Sequence, residues 1–191
     1  NLYSAASATI PITVTPKIEQ NIAFPSDTYS VIVTNQITII PTGGEGDGAV
    51  SFTSSDDSIA TVSSDGVVTA ISLGTVTITA TKAADSTYDE ATAQTSVTVT
   101  PKLSQSITFG EQSYTVVIGN SQSVLASGGP GIGQISYVSS DPSIATISGA
   151  GLVTGVATGS VTITAIKAAD STYEEASATT TINVSDLLEQ T

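Results

Sequence analysis

Residues 54–80 read SSDDSIATVSSDGVVTAISLGTVTITA, and residues 139–165 read SSDPSIATISGAGLVTGVATGSVTITA. Short β-branched runs alternate in both stretches with Ser, Asp and Gly. Runs of this kind, bounded by turn residues, predict β-strands. The step Asp65–Gly66 suits a hairpin turn that needs a positive φ, and Gly74 and Gly159 suit the tight turn that follows. Each stretch therefore predicts three consecutive strands.

The repetition extends far beyond these stretches. Residues 17–101 match residues 102–186 without gaps at an offset of 85, with about half of the positions identical. Tyr3 has the same phase as Tyr88 and Tyr173. The sequence therefore predicts four segments: the last strand of a preceding repeat at 1–16, repeat 1 at 17–101, repeat 2 at 102–186, and the start of a following repeat or the end of the chain at 187–191. We expect residues 1–16 to pair with a neighbouring chain or to pack along repeat 1, because unpaired strand edges seek partners.

Composition narrows the range of partners. Four lysines and no arginine stand against seventeen carboxylates, which gives a net charge of -13. Such a polyanion repels phosphate backbones and anionic lipid, so we expect no nucleic-acid partner and no membrane insertion. The lack of cysteine excludes disulfides and thiolate metal sites. Ca²⁺ is the natural counterpart, because it prefers hard oxygen ligands.

Turn residues every 6 to 12 positions and the absence of helical periodicity predict an all-β sandwich. In repeat 1 the predicted strands are A at about 19–24, A′ at 28–34, B at 36–41, C at 49–54, D at 58–63, E at 66–71, F at 74–82 and G at 91–100. Repeat 2 follows with 85 added to each number.

The two stretches quoted above, with QSITF from Gln105 and the ADSTY segment of each repeat, resemble bacterial immunoglobulin-like domains of group 2, the Big family. This resemblance implies two tandem Ig-like Greek-key β-sandwiches of about seven strands each. It also implies extracellular display, on a bacterial cell surface or in a secreted protein. The aromatic expected in strand C, often Trp, is Phe52 in repeat 1 and Tyr137 in repeat 2, so core packing departs from the family pattern there.

No catalytic residues are predicted. The chain has no His to serve as a general base. Asp89 with Glu90, and Glu174 with Glu175, are adjacent on extended chain and point to opposite faces, so neither pair can flank one glycosidic bond. Lys82 and Lys167 lie at predicted strand ends, where a solvated charge is the ordinary expectation.

Two further features resemble known functional motifs, a phosphate loop and an isopeptide bond. GGEGDG at 43–48 resembles a phosphate loop, but no helix or lysine follows it, and repeat 2 has GGPGIG there; a flexible B to C loop is the better interpretation. An intramolecular Lys to Asn isopeptide bond would need Asn183 of strand G. Its counterpart is Thr98, so a bond common to both repeats is excluded and one in repeat 2 alone stays open.

Calcium is the strongest candidate ligand. Loop acids of repeat 1 are expected near loop acids of repeat 2 across the short TPK linker at 100–102. The predicted ligands of this inter-domain site are Asp56, Asp57, Asp170, Glu174 and Glu175. Carboxylates and loop carbonyls could supply the oxygens that Ca²⁺ takes. The alternative interpretation is that these acids are solvated loop tips.

Tyr88 and Tyr173 each follow a predicted end loop. We expect their rings to cover the open end of the core and their hydroxyls to bond loop backbone. Stacking on a ligand is the alternative, but one tyrosine per repeat makes a poor sugar platform.

The sequence as a whole predicts a non-catalytic stalk that holds a terminal module of a bacterial adhesin away from the envelope. Its partners would be the neighbouring Ig-like repeats. Two alternatives stay open: a module that itself binds a host or cell-surface protein or a glycan, and an accessory domain of a secreted hydrolase.

Overall fold

The computed structural model describes residues 8–186, which form two compact units. Unit 1 ends at Val99 and unit 2 begins at Thr100, while the short segment Ile32–Asn35 groups with unit 2. Tyr3 and the predicted following repeat at 187–191 lie outside the described residues. All regular structure in the described part is β-strand, and no helix there has the length and hydropathy of a membrane span.

Two main sheets build the first sandwich. One has four strands in the order β2-β9-β8-β5, the other has three in the order β3-β7-β6, and β1 pairs with β4. The strands are β1 Ile22–Ala23, β2 Thr28–Ile32, β3 Gln36–Thr38, β4 Thr42–Gly43, β5 Val50–Ser54, β6 Ala60–Val62, β7 Val67–Ala70, β8 Gly74–Lys82 and β9 Ala91–Thr100.

Unit 2 repeats this arrangement. Its sheets have the orders β11-β18-β17-β14 and β12-β16-β15, with the pair β10 and β13. The strands are β10 Ile107–Phe109, β11 Ser113–Val117, β12 Ser121–Ser123, β13 Ala126–Gly128, β14 Ile135–Ser139, β15 Ala145–Ile147, β16 Leu152–Gly155, β17 Gly159–Lys167 and β18 Ala176–Ser185. The early strand β11 and the last strand β18 are parallel, from Ser113 opposite Thr181 to Val117 opposite Ser185.

The predicted fold class, two tandem Ig-like β-sandwiches, is confirmed. Every predicted strand of repeat 1 is present, but predicted strand B, at about 36–41, is the shorter strand β3, and an additional strand β4 follows it. The segment β3 pairs with β7, and after Pro41 the segment β4 pairs with β1 instead. The chain thus changes its pairing partner just beyond the predicted end of strand B.

The predicted hairpin between D and E is also present. The Gly66 N–H donates to the Ser63 carbonyl at 3.0 Å, and the Ser63 N–H donates to the Val67 carbonyl at 3.0 Å. Gly66 has φ 75°, and Gly151 in unit 2 has φ 74°. Glycine adopts this left-handed conformation without the steric cost of a Cβ. A Cβ at Gly66 would also overlap the Ile39 carbonyl oxygen.

Period-two alternation places one face of each long strand in the core. In β8 the inward residues include Val76, Ile78 and Ala80, which are at most 2% exposed. In β17 the inward set begins with Val161 and Ile163. Burying such side chains stabilises each unit by about 1.5–3 kcal/mol per large aliphatic residue.

The described part of the N-terminal segment, residues 8–16, contains no strand, and its side chains are exposed. The expectation that it packs along repeat 1 is wrong for these residues. Its pairing with a neighbouring chain stays a prediction. The chain first joins the sandwich at Ile18, whose N–H donates to the Thr87 carbonyl at 2.8 Å and which forms a parallel bridge with Tyr88.

Candidate functional site

A buried lysine lies at the same place in each unit. Lys82 is 9% exposed and its Nζ donates to the Gly48 carbonyl at 3.0 Å. Lys167 is 7% exposed and its Nζ donates to the carbonyls of Gly128 and Gly129 at 3.1 and 2.9 Å. The prediction that these lysines are solvated is wrong. Each continues the inward alternation of its strand, so its stem is covered by the sandwich and its ammonium reaches loop backbone.

An aspartate three residues later binds the same loop through amide groups. Asp85 Oδ1 accepts the N–H groups of Thr87 and Tyr88 at 2.7 and 2.8 Å, and its Oδ2 accepts the Asp47 N–H at 2.8 Å. In unit 2 the carboxylate of Asp170 accepts the N–H groups of Thr172, Tyr173 and Ile132 at 2.8, 2.8 and 2.7 Å. The first two bonds hold the F to G corner together, and the third reaches the B to C loop.

These hydrogen bonds lower the pKa of both carboxyls from the ordinary value of 3.8. For Asp85 the largest cause is the Thr87 N–H, and for Asp170 it is the Tyr173 N–H. A donor to the carboxylate favours the charged form, which is why the pKa falls. The bonds thus favour the anionic form of both aspartates.

We call the lysine, the aspartate and the B to C loop that they bind the clasp. In unit 1 the clasp is Lys82, Asp85 and residues 43–48; in unit 2 it is Lys167, Asp170 and residues 128–133. Close backbone approach completes it: the Ala83 N–H donates to the Ala49 carbonyl at 2.9 Å, and a Cβ at Gly48 would overlap the Ala83 carbonyl oxygen. The loop predicted to be flexible is thus hydrogen-bonded to the F to G corner.

A glutamine on the incoming chain adds to each clasp. Gln20 Nε2 donates to the Asp89 carbonyl, and Gln105 Nε2 donates to the Glu174 carbonyl, both at 2.6 Å. Gln105 Oε1 also accepts the Gly131 N–H at 3.2 Å. Gln20 Oε1 is buried and has no hydrogen-bond partner among the described residues. The two loops therefore approach their glutamines differently.

The acids predicted to bind calcium have mostly local roles. Asp56 Oδ1 accepts the N–H and the hydroxyl of Ser58 at 2.9 and 2.6 Å, which lowers the pKa of Asp56, the hydroxyl being the larger cause. Asp170 already accepts three backbone N–H groups. The side chains of Asp57, Glu174 and Glu175 are exposed. Within residues 8–186, no group of three or more Asp, Glu, His or Cys is close enough to hold a metal ion.

The aromatic residues singled out from the sequence lie in or beside the sandwiches. Tyr88 is half-buried, with its ring edge close to Gly46. Tyr173 is also half-buried. The plug role of both tyrosines stays a prediction, and no hydroxyl bond of either is found within residues 8–186.

The strand C aromatics differ in their bonding. The Tyr137 hydroxyl accepts the Ala126 N–H at 3.1 Å, and its ring packs 6.4 Å from that of Phe109, centroid to centroid. Phe52, at the equivalent position in unit 1, has no hydroxyl; its ring lies against Gly66.

An isopeptide bond between Lys167 and Asn183 in unit 2 is excluded by strand register. Lys167 lies opposite Ala176 at one end of the β17 and β18 pair, whereas Asn183 lies opposite Ser160 near the other end. Seven residues of strand separate Asn183 from Ala176, roughly 23 Å. No side-chain bond between Lys167 and Asn183 can span that distance.

The sequence model of one family, the bacterial Ig-like domain (group 2), matches residues 8–93 and again residues 93–177. The chain belongs to this family. The second matched range of the bacterial Ig-like repeats begins at residue 93, seven residues before unit 2 begins at Thr100. In the structure, β9 completes the first sandwich by pairing with both β2 and β8. No curated protein matches the chain.

Two solved structures are reported as similar to these bacterial Ig-like units. The S-layer protein rSbsC(31-844) matches with a TM-score of 0.50 at 20% identity, over 89% of this chain and 28% of that one. N-cadherin EC1-4 of Drosophila matches with a TM-score of 0.40 at 15% identity, over 88% and 50%. The chain thus spans about a quarter of the S-layer chain. At 20% identity the likeness to the S-layer protein concerns the fold alone.

Proposed function

We propose that the two bacterial Ig-like units are non-catalytic spacer repeats of an extracellular or cell-surface protein, which carry tension between the modules on either side. The observation that carries this proposal is the parallel pairing of β11 with β18. Tension on the two ends of unit 2 pulls these strands in opposite directions along their length. It therefore loads the hydrogen bonds of the five-residue register together, in shear.

The chemistry of the clasp favours a structural role over catalysis. Its lysine and aspartate are charged side chains that bind the same loop. The ammonium of Lys167 donates hydrogen bonds to backbone carbonyls, and the carboxylate of Asp170 accepts hydrogen bonds from backbone amides. Groups held in this way are not poised to exchange protons with a substrate.

Single-molecule force spectroscopy of the whole chain tests the proposal. We expect two unfolding events, each releasing roughly 270 Å of contour length, from about 85 residues at 3.6 Å less the folded length. The variant Ile118→Pro removes the N–H that donates to the Ser185 carbonyl at 3.0 Å, at the end of the parallel register. It should lower the unfolding force of one event only.

A matched control separates shear resistance from general stability. Lys167→Met removes bonds of the clasp but no bond between β11 and β18, so it should reduce thermal stability with little loss of unfolding force. If both units unfold at forces too low to resolve, or if Lys167→Met weakens the force as much as Ile118→Pro does, the spacer proposal is wrong.

Calcium at the inter-domain joint remains part of this proposal, with Asp56, Asp57, Asp170, Glu174 and Glu175 as ligands. The net charge of -13 supports it. Thermal melts and small-angle scattering with Ca²⁺ and with chelator test it. An unchanged melting temperature together with an unchanged maximum dimension would refute it. One alternative function, glycan or receptor binding, predicts binding on a glycan array or to host cells that a spacer would not show. The other, service to a secreted hydrolase, would be decided by the flanking sequence of the full-length gene.

A further inference from the structure

Residues 8–16 have the alternating apolar residues of an inner strand, but their side chains are exposed. Ile10, Ile12 and Val14 are 85%, 87% and 86% exposed. They alternate with Pro11 and Thr13, so on an extended chain the three aliphatic side chains lie on one face. A face of three exposed large aliphatic residues is unusual for a segment without a partner.

The same phase in each unit is a buried strand. Residues 93–102 differ from residues 8–17 at four positions and are identical at six. The counterparts of Ile10, Ile12 and Val14 are Thr95, Val97 and Val99, which are 3%, 0% and 3% exposed in β9. In unit 2 they are Thr180, Ile182 and Val184, which are 3%, 0% and 5% exposed.

The family comparison gives the same alignment independently. Its first match begins at residue 8 and its second at residue 93, a difference of 85 that equals the repeat offset. The second match therefore begins within β9, which is the last strand of unit 1. The first match begins at the corresponding point of the exposed segment.

We propose that residues 8–16 are a strand donor that binds a third Ig-like sandwich of this family, one whose other strands belong to a preceding repeat. The donor fills the place that β9 fills in unit 1, between an antiparallel F strand and a parallel A′ strand. Ile10, Ile12 and Val14 enter the core of that sandwich. This inference names a partner for the proposed spacer but does not depend on the spacer role.

Pro11 has no backbone N–H and so cannot make every hydrogen bond of a last strand. The strand register shows which hydrogen bond it would lose. Its counterpart Ser96 donates its N–H to the Asp27 carbonyl at 3.0 Å, on the side of strand A′ and just before β2 begins. The bonds to strand F do not involve this N–H. A proline therefore removes one bond at the margin of the sheet and leaves the antiparallel ladder intact.

A chimera of the full chain tests the donation. Residues 17–87 are joined directly before residues 3–191, so that Tyr3 takes the place of Tyr88 and the segment follows an added set of strands A to F. We expect hydrogen exchange of the amides in 9–15 to slow by on the order of 100-fold or more relative to the 191-residue chain, because opening then requires unfolding of the added sandwich. The variant Ile12→Asp with Val14→Asp should abolish this protection and leave units 1 and 2 unchanged.

The matched control is a duplication in which residues 17–101 precede residues 17–191, so that the added unit has its own β9 sequence. If the duplicate folds while amides 9–15 of the chimera exchange as fast as in the 191-residue chain, the proposal is overturned. It is also overturned if the double Asp variant destabilises unit 1 in the 191-residue chain, since the segment would then bind its own unit. Failure of either kind leaves the force measurements on units 1 and 2 untouched.

A graft keeps the test decisive if the duplicate does not fold. Gln94→Thr, Thr95→Ile, Ser96→Pro and Val97→Ile convert residues 93–102 into the sequence of residues 8–17. A competent donor sequence should leave unit 1 folded, and omission of Ser96→Pro should recover part of any loss in the urea midpoint. An unfolded unit 1 in both grafts would show that the segment cannot serve as a last strand.

Discussion

Replacing Lys167 by Met should destabilise unit 2 more than replacing Lys82 by Met destabilises unit 1. Both substitutions remove a buried ammonium and keep an unbranched side chain of similar length, so the desolvation cost that each relieves is common to both. Lys167 donates to two carbonyls, at 3.1 and 2.9 Å, whereas Lys82 donates to one, at 3.0 Å. The difference is one charge-assisted hydrogen bond, about 1.5–3 kcal/mol.

Native-state hydrogen exchange in increasing urea measures this difference in the full chain. Peptides from β8 report the free energy of unfolding of unit 1, and peptides from β17 report that of unit 2. A gap of this size corresponds to a difference in melting temperature on the order of 10 °C for a domain of this length. Equal losses, or a larger loss for Lys82→Met, would refute the reasoning. Two neutral or stabilising substitutions would show that ammonium desolvation outweighs the bonds of the clasp.

Three other predictions concern single positions. Thr34 has φ 72°, and Gly119 has φ 80° at the equivalent position of unit 2. Because a left-handed conformation is costly for threonine and not for glycine, Thr34→Gly should raise the free energy of unfolding by about 1 kcal/mol in urea titrations. Gly119→Thr should lower it by a similar amount. The lowered pKa values of Asp56, Asp85 and Asp170 mean that their contribution to stability is present above the ordinary value of 3.8 and is lost as the pH falls through their folded pKa values. Asp170→Asn should therefore flatten the decline of unit 2 stability below about pH 4, and an unchanged slope would contradict this. Tyr137→Phe leaves the buried Ala126 N–H without its acceptor and should cost about 1–3 kcal/mol, and Ala126→Pro should recover part of that cost in a double-mutant cycle.

The alternation of apolar residues and the turn residues predict most of the strands, but not every pairing partner. Gly66 and the runs around it predict the D to E hairpin because the left-handed turn is a local requirement. The strand β4, which follows Pro41 and pairs with β1, was not predicted, since which partner a strand takes depends on distant residues.

One part of the clasp follows from the sequence pattern, and another part does not. Lys82 follows Val76, Ile78 and Ala80 in the same period-two phase, so its burial was available from the alternation. The bond from the Asp47 N–H to Asp85 links residues 38 apart. No local pattern signals it, because it depends on how the sandwich brings two loops together.

The clasp also explains why the F to G corner has the same residues in both repeats whereas the B to C loop differs. Lys82 and Asp85 act through their side chains, and both recur as Lys167 and Asp170. The B to C loop offers only backbone carbonyls and amides to them, so its side chains can differ, as Glu45 and Pro130 do.

The aromatic residue of strand C and its hydrogen-bond partner change together between the two repeats. In unit 2 the Tyr137 hydroxyl accepts the Ala126 N–H. In unit 1 the counterpart of Ala126 is Pro41, which has no N–H, and the counterpart of Tyr137 is Phe52, which has no hydroxyl. Donor and acceptor are both present or both missing, which leaves no buried polar group unpaired at this contact. The substitutions between the two repeats therefore follow hydrogen-bonding chemistry at this position rather than size alone.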